Sequence, residues 1–204
     1  MLDQDAATRR YRPGALLAQA VRAGMAATPL DEACRAVLAR LSDDSGLTAY
    51  LSTLNQRETV VLQRLNGSHP VQVLSPPGSR RNASGTAMGR ALLSRLSEAE
   101  FQALYGTDAA QPLPMEGRDC PATVGDLARL VAQTRADHCG VAIDQAMPGI
   151  GAVAAAVRDP ATGELRGLCL SFVSFQADAA RVARLRESVL QQVAALGRAL
   201  NDPY

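Results

Sequence analysis

Thr48-Ala49-Tyr50-Leu51-Ser52-Thr53-Leu54-Asn55-Gln56-Arg57-Glu58-Thr59-Val60-Val61-Leu62-Gln63-Arg64-Leu65 is the stretch where the periodicity of the chain changes. Thr48 to Leu54 and Thr59 to Leu65 are rich in β-branched, aromatic and leucine residues. The polar segment Asn55 to Glu58 separates them, which predicts a β-hairpin. Asn66-Gly67-Ser68 predicts a further turn, Val71 to Leu74 a third strand, and Pro76-Pro77-Gly78 its end. Three strands joined by tight turns make an antiparallel meander.

Outward from this meander the period is helical. Upstream, Thr28-Pro29-Leu30-Asp31 opens a helix: threonine caps, proline takes the first turn, and the aspartate faces the helix N-terminus. Its apolar stripe is Leu30, Ala33, Cys34, Val37, Leu38 and Leu41. A shorter apolar-periodic run follows Pro13, through Leu16, Leu17, Ala20 and Val21, and residues 1–12 read as a polar linker. Downstream, a loop from Ser79 to Gly85 leads into a helix through Met88, Ala91 and Leu92. Ser97-Glu98-Ala99-Glu100 is a capping box that opens another helix. Residues 106–120 read as a surface loop. A helix is expected from about Val124 to Ala136, and strands at Val141–Ile143, Ala152–Val157 and Leu168–Val173. Asp159-Pro160-Ala161-Thr162-Gly163 is a turn between the last two. The final helix should run from Ala179 to Leu200. Strands closed by hairpins, with helices grouped elsewhere, define an α+β layered domain with a central antiparallel sheet and flanking helices.

Composition narrows the function. The chain has 204 residues and net charge +1; all 21 basic residues are arginine, and tryptophan is absent. Without lysine there is no Schiff-base chemistry and no phosphate-binding lysine of a P-loop. Near-neutral charge, with basic residues dispersed apart from Arg9, Arg10 and Arg12, argues against general nucleic-acid binding by these residues alone. No run of about 20 apolar residues predicts a membrane span. The acidic start Met1 to Asp5 lacks the apolar core of a signal peptide. Cys34, Cys120, Cys139 and Cys169 form no C-x-x-C pair and read as reduced thiols of a cytoplasmic protein. His69 in a turn and His138 at a helix end read as structural or solvated. No nucleophile–base pair and no metal-ligand spacing occurs, so no enzyme, metal or cofactor is expected.

One stretch points to a binding site: Gly78-Ser79-Arg80-Arg81-Asn82-Ala83-Ser84-Gly85-Thr86-Ala87-Met88-Gly89-Arg90-Ala91-Leu92-Leu93. Small residues crowd the place where loop becomes helix. Backbone amides with little side-chain cover suit a carboxylate or phosphate, and a tight loop-to-helix packing joint explains the same composition.

This stretch, matched to G-R-R-x-P-x-H-A-T-A-x-G-K-A-L-L, resembles the effector-binding domain of IclR-type bacterial transcriptional regulators. Four further segments carry the resemblance in the right order. Arg10-Tyr11-Arg12-Pro13-Gly14 is similar to R-Y-x-L-G, and Leu38 to Leu51 to L-x-x-L-x-x-x-x-G-x-T-x-x-L. Gly140 to Val157 is similar to G-[YF]-x-x-D-x-E-E-x-x-x-G-x-x-C-x-A-A-P-V, and Leu168 to Ser174 to A-x-S-x-S-G. The resemblance implies a GAF-like or profilin-like α+β domain that senses a small carboxylate or aromatic acid. It implies a homodimer or dimer of dimers, and DNA contact only through a winged helix-turn-helix outside these residues. Residues 1–12 are then the stub of a linker, 13–27 a linker and dimerisation helix, and 28–204 the effector-binding domain. The alternative is a stand-alone GAF-like sensor or interaction module without DNA binding. Carried over by position, the effector site is Val73, Ala87, Met88, Asp144, Ile150, Ala152, Ser171 and Val173. Ser84 stands for the family histidine, Arg90 for its lysine, Ala152 for its cysteine and Val173 for its second serine. The glutamate pair is absent. These losses make the pocket more apolar, and suit either a larger or less polar ligand or no ligand at all.

Overall fold

Along the described residues of the computed structural model (2–5, 8–16, 28–115, 117 and 119–202), the elements run in one order. They are β1 (Leu2–Gln4), β2 (Tyr11–Pro13), α1 (Pro29–Ser45), β3 (Thr48–Asn55), β4 (Glu58–Leu65), β5 (Arg80–Asn82), α2 (Ala87–Leu93), α3 (Glu98–Tyr105), α4 (Val124–Asp137), β6 (Gly140–Ile143), β7 (Ile150–Arg158), β8 (Leu165–Val173) and α5 (Ala179–Leu200). The chain divides into two units, residues 1–32 and 33–204.

In the first unit β1 and β2 pair antiparallel, Leu2 with Pro13 and Gln4 with Tyr11. The turn is closed by Asp5, whose Oδ1 accepts from Thr8 N at 2.8 Å and whose carbonyl accepts from Arg9 N at 2.8 Å. Within the linker expected over residues 1–12, the described residues thus form a β-hairpin. Pro13 closes a strand rather than opening a helix. Ala15 and Leu16 are helical, and the remainder of the helix expected there lies outside the described residues.

In the second unit six strands form one sheet in the order β5-β4-β3-β8-β7-β6, antiparallel throughout. The β3–β4 hairpin turns over the two residues Gln56 and Arg57, with Gln56 in the left-handed region at φ 56°, as a twisted two-residue loop requires. The β7–β8 hairpin turns where Asp159 Oδ1 accepts from Ala161 N at 2.8 Å and Gly163 takes φ +75°. The two hairpins join along β3 and β8. The fold is thus the α+β sheet with flanking helices that the sequence predicts.

The expected third strand is displaced. Val71–Leu74 has no strand partner, because β4 pairs instead with Arg80–Asn82. Proline at positions 70, 76 and 77 removes ladder donors, and Gln72 Nε2 donates to the carbonyls of Gly67 at 2.8 Å and His69 at 2.5 Å. The segment therefore folds on itself, and the chain rejoins β4 only after Gly78, whose N–H donates to Val61 O at 2.7 Å.

Side chains alternate across a sheet, and the two faces differ sharply in size. Toward one face point Tyr50 and Ser52 of β3, Gly167, Cys169 and Ser171 of β8, Ala152, Ala154 and Ala156 of β7, and Ala142 of β6, as the register dictates. Ala87, Met88, Ala91 and Leu92 of α2 pack there. The small residues let α2 approach closely. A Cβ on Gly167 would lie 2.3 Å from Met88 Sδ, and one on Gly140 2.5 Å from Ala87 O. Ala49, Leu51, Val153, Ala155, Leu168 and Leu170 point to the other face and are fully buried. Helix α5 packs on β7 and β8 there, presenting Leu185, Val189, Val193 and Leu196. Beside α2 a second apolar cluster joins Leu93, Phe101, Tyr105, Leu127 and Val131 of α2, α3 and α4.

Candidate ligand cavity

Because α2 covers only part of the small-residue face, a cavity of about 290 Å³ remains between the sheet, the start of α2 and two loops. Its floor is Tyr50, Ser52, Cys169, Ser171, Ala142 and Ala152. Thr59, Val61 and Arg81 continue it along β4 and β5, and Thr86, Ala87 and Met88 form the α2 wall. Thr86 caps that helix: its Oγ1 accepts from Gly89 N at 2.9 Å.

A bulge sets which residues of β4 reach the floor. Leu51 pairs with Gln63 but Ser52 with Val61, so Leu62 is an extra residue. Such an insertion switches the facing of all that follows. Thr59 and Val61 face the cavity before it, and Arg64 faces Tyr50 beyond it.

The roof is the segment 72–75, held by hydrogen bonds from β3. Tyr50 OH donates to Val73 O and accepts from Ser75 N at 3.1 Å. Thr48 Oγ1 donates to Gln72 Oε1 at 2.5 Å. Burial raises the Tyr50 hydroxyl above its ordinary value, so it remains a neutral donor.

The opposite lip is the β6–β7 loop, with Ala146, Met147 and Ile150 on the wall. Asp144, at φ 57°, closes that loop: its Oδ1 accepts from Gly149 N at 2.7 Å and from Ser174 Oγ at 2.8 Å. Arg90 holds it from below. The side chain is only 2% exposed, donates from Nη1 to Gln145 Oε1 at 2.6 Å, and also bonds Val141 O. Burial without a carboxylate beside it pushes the guanidinium down to about 10, still charged at neutral pH. Cys169 on the floor is pushed up to about 12 by burial, and Cys139 to about 11. Both are thiols; all four cysteines are buried and none is in a disulfide.

Of the eight site residues read from the sequence, the cavity brings together Val73, Ala87, Met88, Ile150, Ala152 and Ser171. Two lie off its wall. Asp144 spends its carboxylate on the loop turn described above. Val173 sits beside Ile150 in the register but beyond the cavity, at the end of β8. Among the lining residues the sequence reading did not include are Tyr50, Ser52, Thr59, Arg81, Met147 and Cys169. Alternation along β3 and β8 would have placed Tyr50, Ser52 and Cys169 on one face once the pairing of those strands was known. The Arg81 contribution needs the β4–β5 register. Among the described residues no three of His, Cys, Asp or Glu gather as a metal site, and no helix is long and apolar enough to cross a membrane.

A sheet with α2 on one face, α5 on the other and a pocket against α2 is a frame with room for a small ligand, and relatives give it a family. Residues 23–198 match the family described as bacterial transcriptional regulator IclR C-terminal. The chain belongs to this family and carries its effector-binding domain, a regulatory rather than enzymatic module. It is 28% identical over 205 residues to the HTH-type transcriptional regulator XynR of Escherichia coli, covering 99% of this chain and 79% of that one. Over 192 residues it is 24% identical to the HTH-type transcriptional regulator BhcR of Paracoccus denitrificans, covering 93% and 67%. Among solved structures, an IclR homolog from Microbacterium hydrocarbonoxydans complexed with 4-hydroxybenzoate superposes with a TM-score of 0.78 at 18% identity, covering 98% of this chain and 79% of that one. The C-terminal domain of the E. coli regulator KdgR superposes at 0.71 and 16% identity, covering 85% and 99%.

Proposed function

We propose that the cavity binds a small organic acid with an apolar or aromatic body, and that occupancy is the signal this regulator reads. The single observation that carries the reading is the cavity itself. It has a mostly apolar wall, a few hydroxyls and no acidic side chain among its described lining residues, the usual makeup of a site for a small amphipathic ligand. The structural relative that holds 4-hydroxybenzoate supports it. Output is operator binding by the whole protein, as a dimer or dimer of dimers. The acid binds one arrangement of the protomers better than the other, and the population shifts by that difference in affinity.

A thermal-shift screen of small aromatic and aliphatic acids tests this. An effector at a hundred times its dissociation constant adds about 2.7 kcal/mol of stability and raises the melting temperature by several degrees. No shift from any acid, with shifts from neutral apolar compounds instead, rejects the acid-sensing reading.

A further inference from the structure

Most polar groups in the cavity are already engaged. The Tyr50 hydroxyl and the Gln72 amide hold the roof. Thr86 caps α2, Thr59 Oγ1 reaches Arg81 O at 3.4 Å, and Ser171 Oγ lies 3.7 Å from Cys169 Sγ. Asp144, the carboxylate of the neighbouring loop, is spent on that loop. One charged group remains. Arg81 sits opposite Thr59 in the register, and opposed residues of an antiparallel pair share a face, so it is turned to the cavity side. Its neighbour Arg80 is turned the other way and pairs with Glu58 at 2.8 Å. Among the described residues the Arg81 side chain makes no hydrogen bond or ion pair, and no Asp or Glu lines the cavity to balance it.

We infer that Arg81 is the specificity-determining residue of this pocket. It pairs with the carboxylate of the effector at the β5 rim, so that the apolar body lies inward over Ser52, Cys169 and Met88. This rests on the acid-sensing reading above and adds to it an orientation and a selecting group. A guanidinium presents a planar fork to a carboxylate and offers nothing comparable to a neutral amide. At a rim site, water competes for the pair and the advantage is moderate, about tenfold or more in affinity.

The test is calorimetric titration of the 204-residue chain and its R81Q and R81K variants with benzoate, 4-hydroxybenzoate and phenylacetate, each beside its carboxamide. The expected result is an acid that binds the unsubstituted chain about tenfold or more tighter than its amide. R81K, which keeps the charge but not the fork, retains only part of that preference, and R81Q loses it. Arg81 is exposed, so the unliganded melting temperature of all three chains should agree. An acid bound with undiminished preference by R81Q overturns the role of Arg81 while leaving the sensing reading in place. Failure of every acid to bind the unsubstituted chain overturns both.

Discussion

Gly89 shows how one residue ties the site to the fold. It lies in α2 directly over the 3-10 turn Ala83–Gly85, and a Cβ there would stand 2.0 Å from Ala83 O and 2.3 Å from Ala83 Cα. The clash is with backbone, which has no rotamer to yield. Gly89→Ala should therefore destabilise the chain although alanine is the better helix former. The expected cost is about 2–3 kcal/mol, the upper part of the usual range for overpacking, read as a lowered urea midpoint with unchanged slope. A variant as stable as the parent would mean that α2 does not press on this turn. Arg90, the next residue, is the opposite case. Its buried charge is tolerated because it joins α2 to Gln145 and Val141, and so fixes the lip of the cavity to the helix that forms its wall.

At the scale of the element, caps and helix ends hold α2, α3 and α4 in place. Ser97 caps α3 as a capping box with Glu100: Ser97 Oγ accepts from Glu100 N at 3.2 Å, and Glu100 Oε2 accepts from Ser97 N at 2.7 Å. The Ser97 amide, above all, holds the Glu100 carboxyl below the ordinary 4.5, with Arg158 adding to it. A carboxyl depressed in the folded state stabilises above its unfolded value, and that stability is lost as pH falls through the lower folded value. The Glu100→Gln chain should therefore lose stability relative to the parent above about pH 4.5. The difference should shrink as the pH is lowered further, as read from urea midpoints across pH 2.5–6 (about that range brackets the titration). A constant difference across the whole range would show that the charge plays no part. At the far end of α2, Arg135 donates to the carbonyls of Ser94 and Leu96 at 2.9 Å, and Arg158 to that of Arg95 at 3.0 Å. Cations suit a helix C-terminus, which accounts for the cluster of arginines there.

For the whole molecule, the decisive joint is the pairing of β3 with β8, which closes two hairpins distant in sequence into one sheet. Ala49, Leu51, Leu168 and Leu170 at this seam are completely buried. Strands β5 and β6 lie at the edges, with one neighbour each. Amide exchange should accordingly be slowest in β3 and β8, where opening requires global unfolding, and faster in β5 and β6. Slowest exchange in an edge strand would place the stable core elsewhere. The same arrangement positions the cavity. Its floor comes from both sides of the seam, and its lips from the segments after β4 and β6.

The hairpins, the capped helices and the α+β class were legible because they are local. Their signals are period, turn residues and caps, and these act over a few neighbours. The helical period gives the terminal helix as Ala179 to Leu200, and those are its ends. The cavity was only partly legible. Ala87, Met88, Ile150, Ala152 and Ser171 could be placed from motif position, but Tyr50, Ser52 and Arg81 enter only through strand register. The strand expected at Val71–Leu74 failed for the same reason. Its residues suit a strand, yet the edge of β4 is taken by Arg80–Asn82 after the turn at Gly78. Thus the sequence by itself determined most of the elements, the crowding of small residues where the loop becomes α2, and the family. Only the tertiary structure decided which segments pair, that a one-residue bulge at Leu62 turns Thr59 and Val61 to the floor, and that Asp144 serves its own loop rather than the cavity wall. The reason is physical: pairing register is a competition between distant segments for the same backbone donors and acceptors, and no local pattern records its outcome.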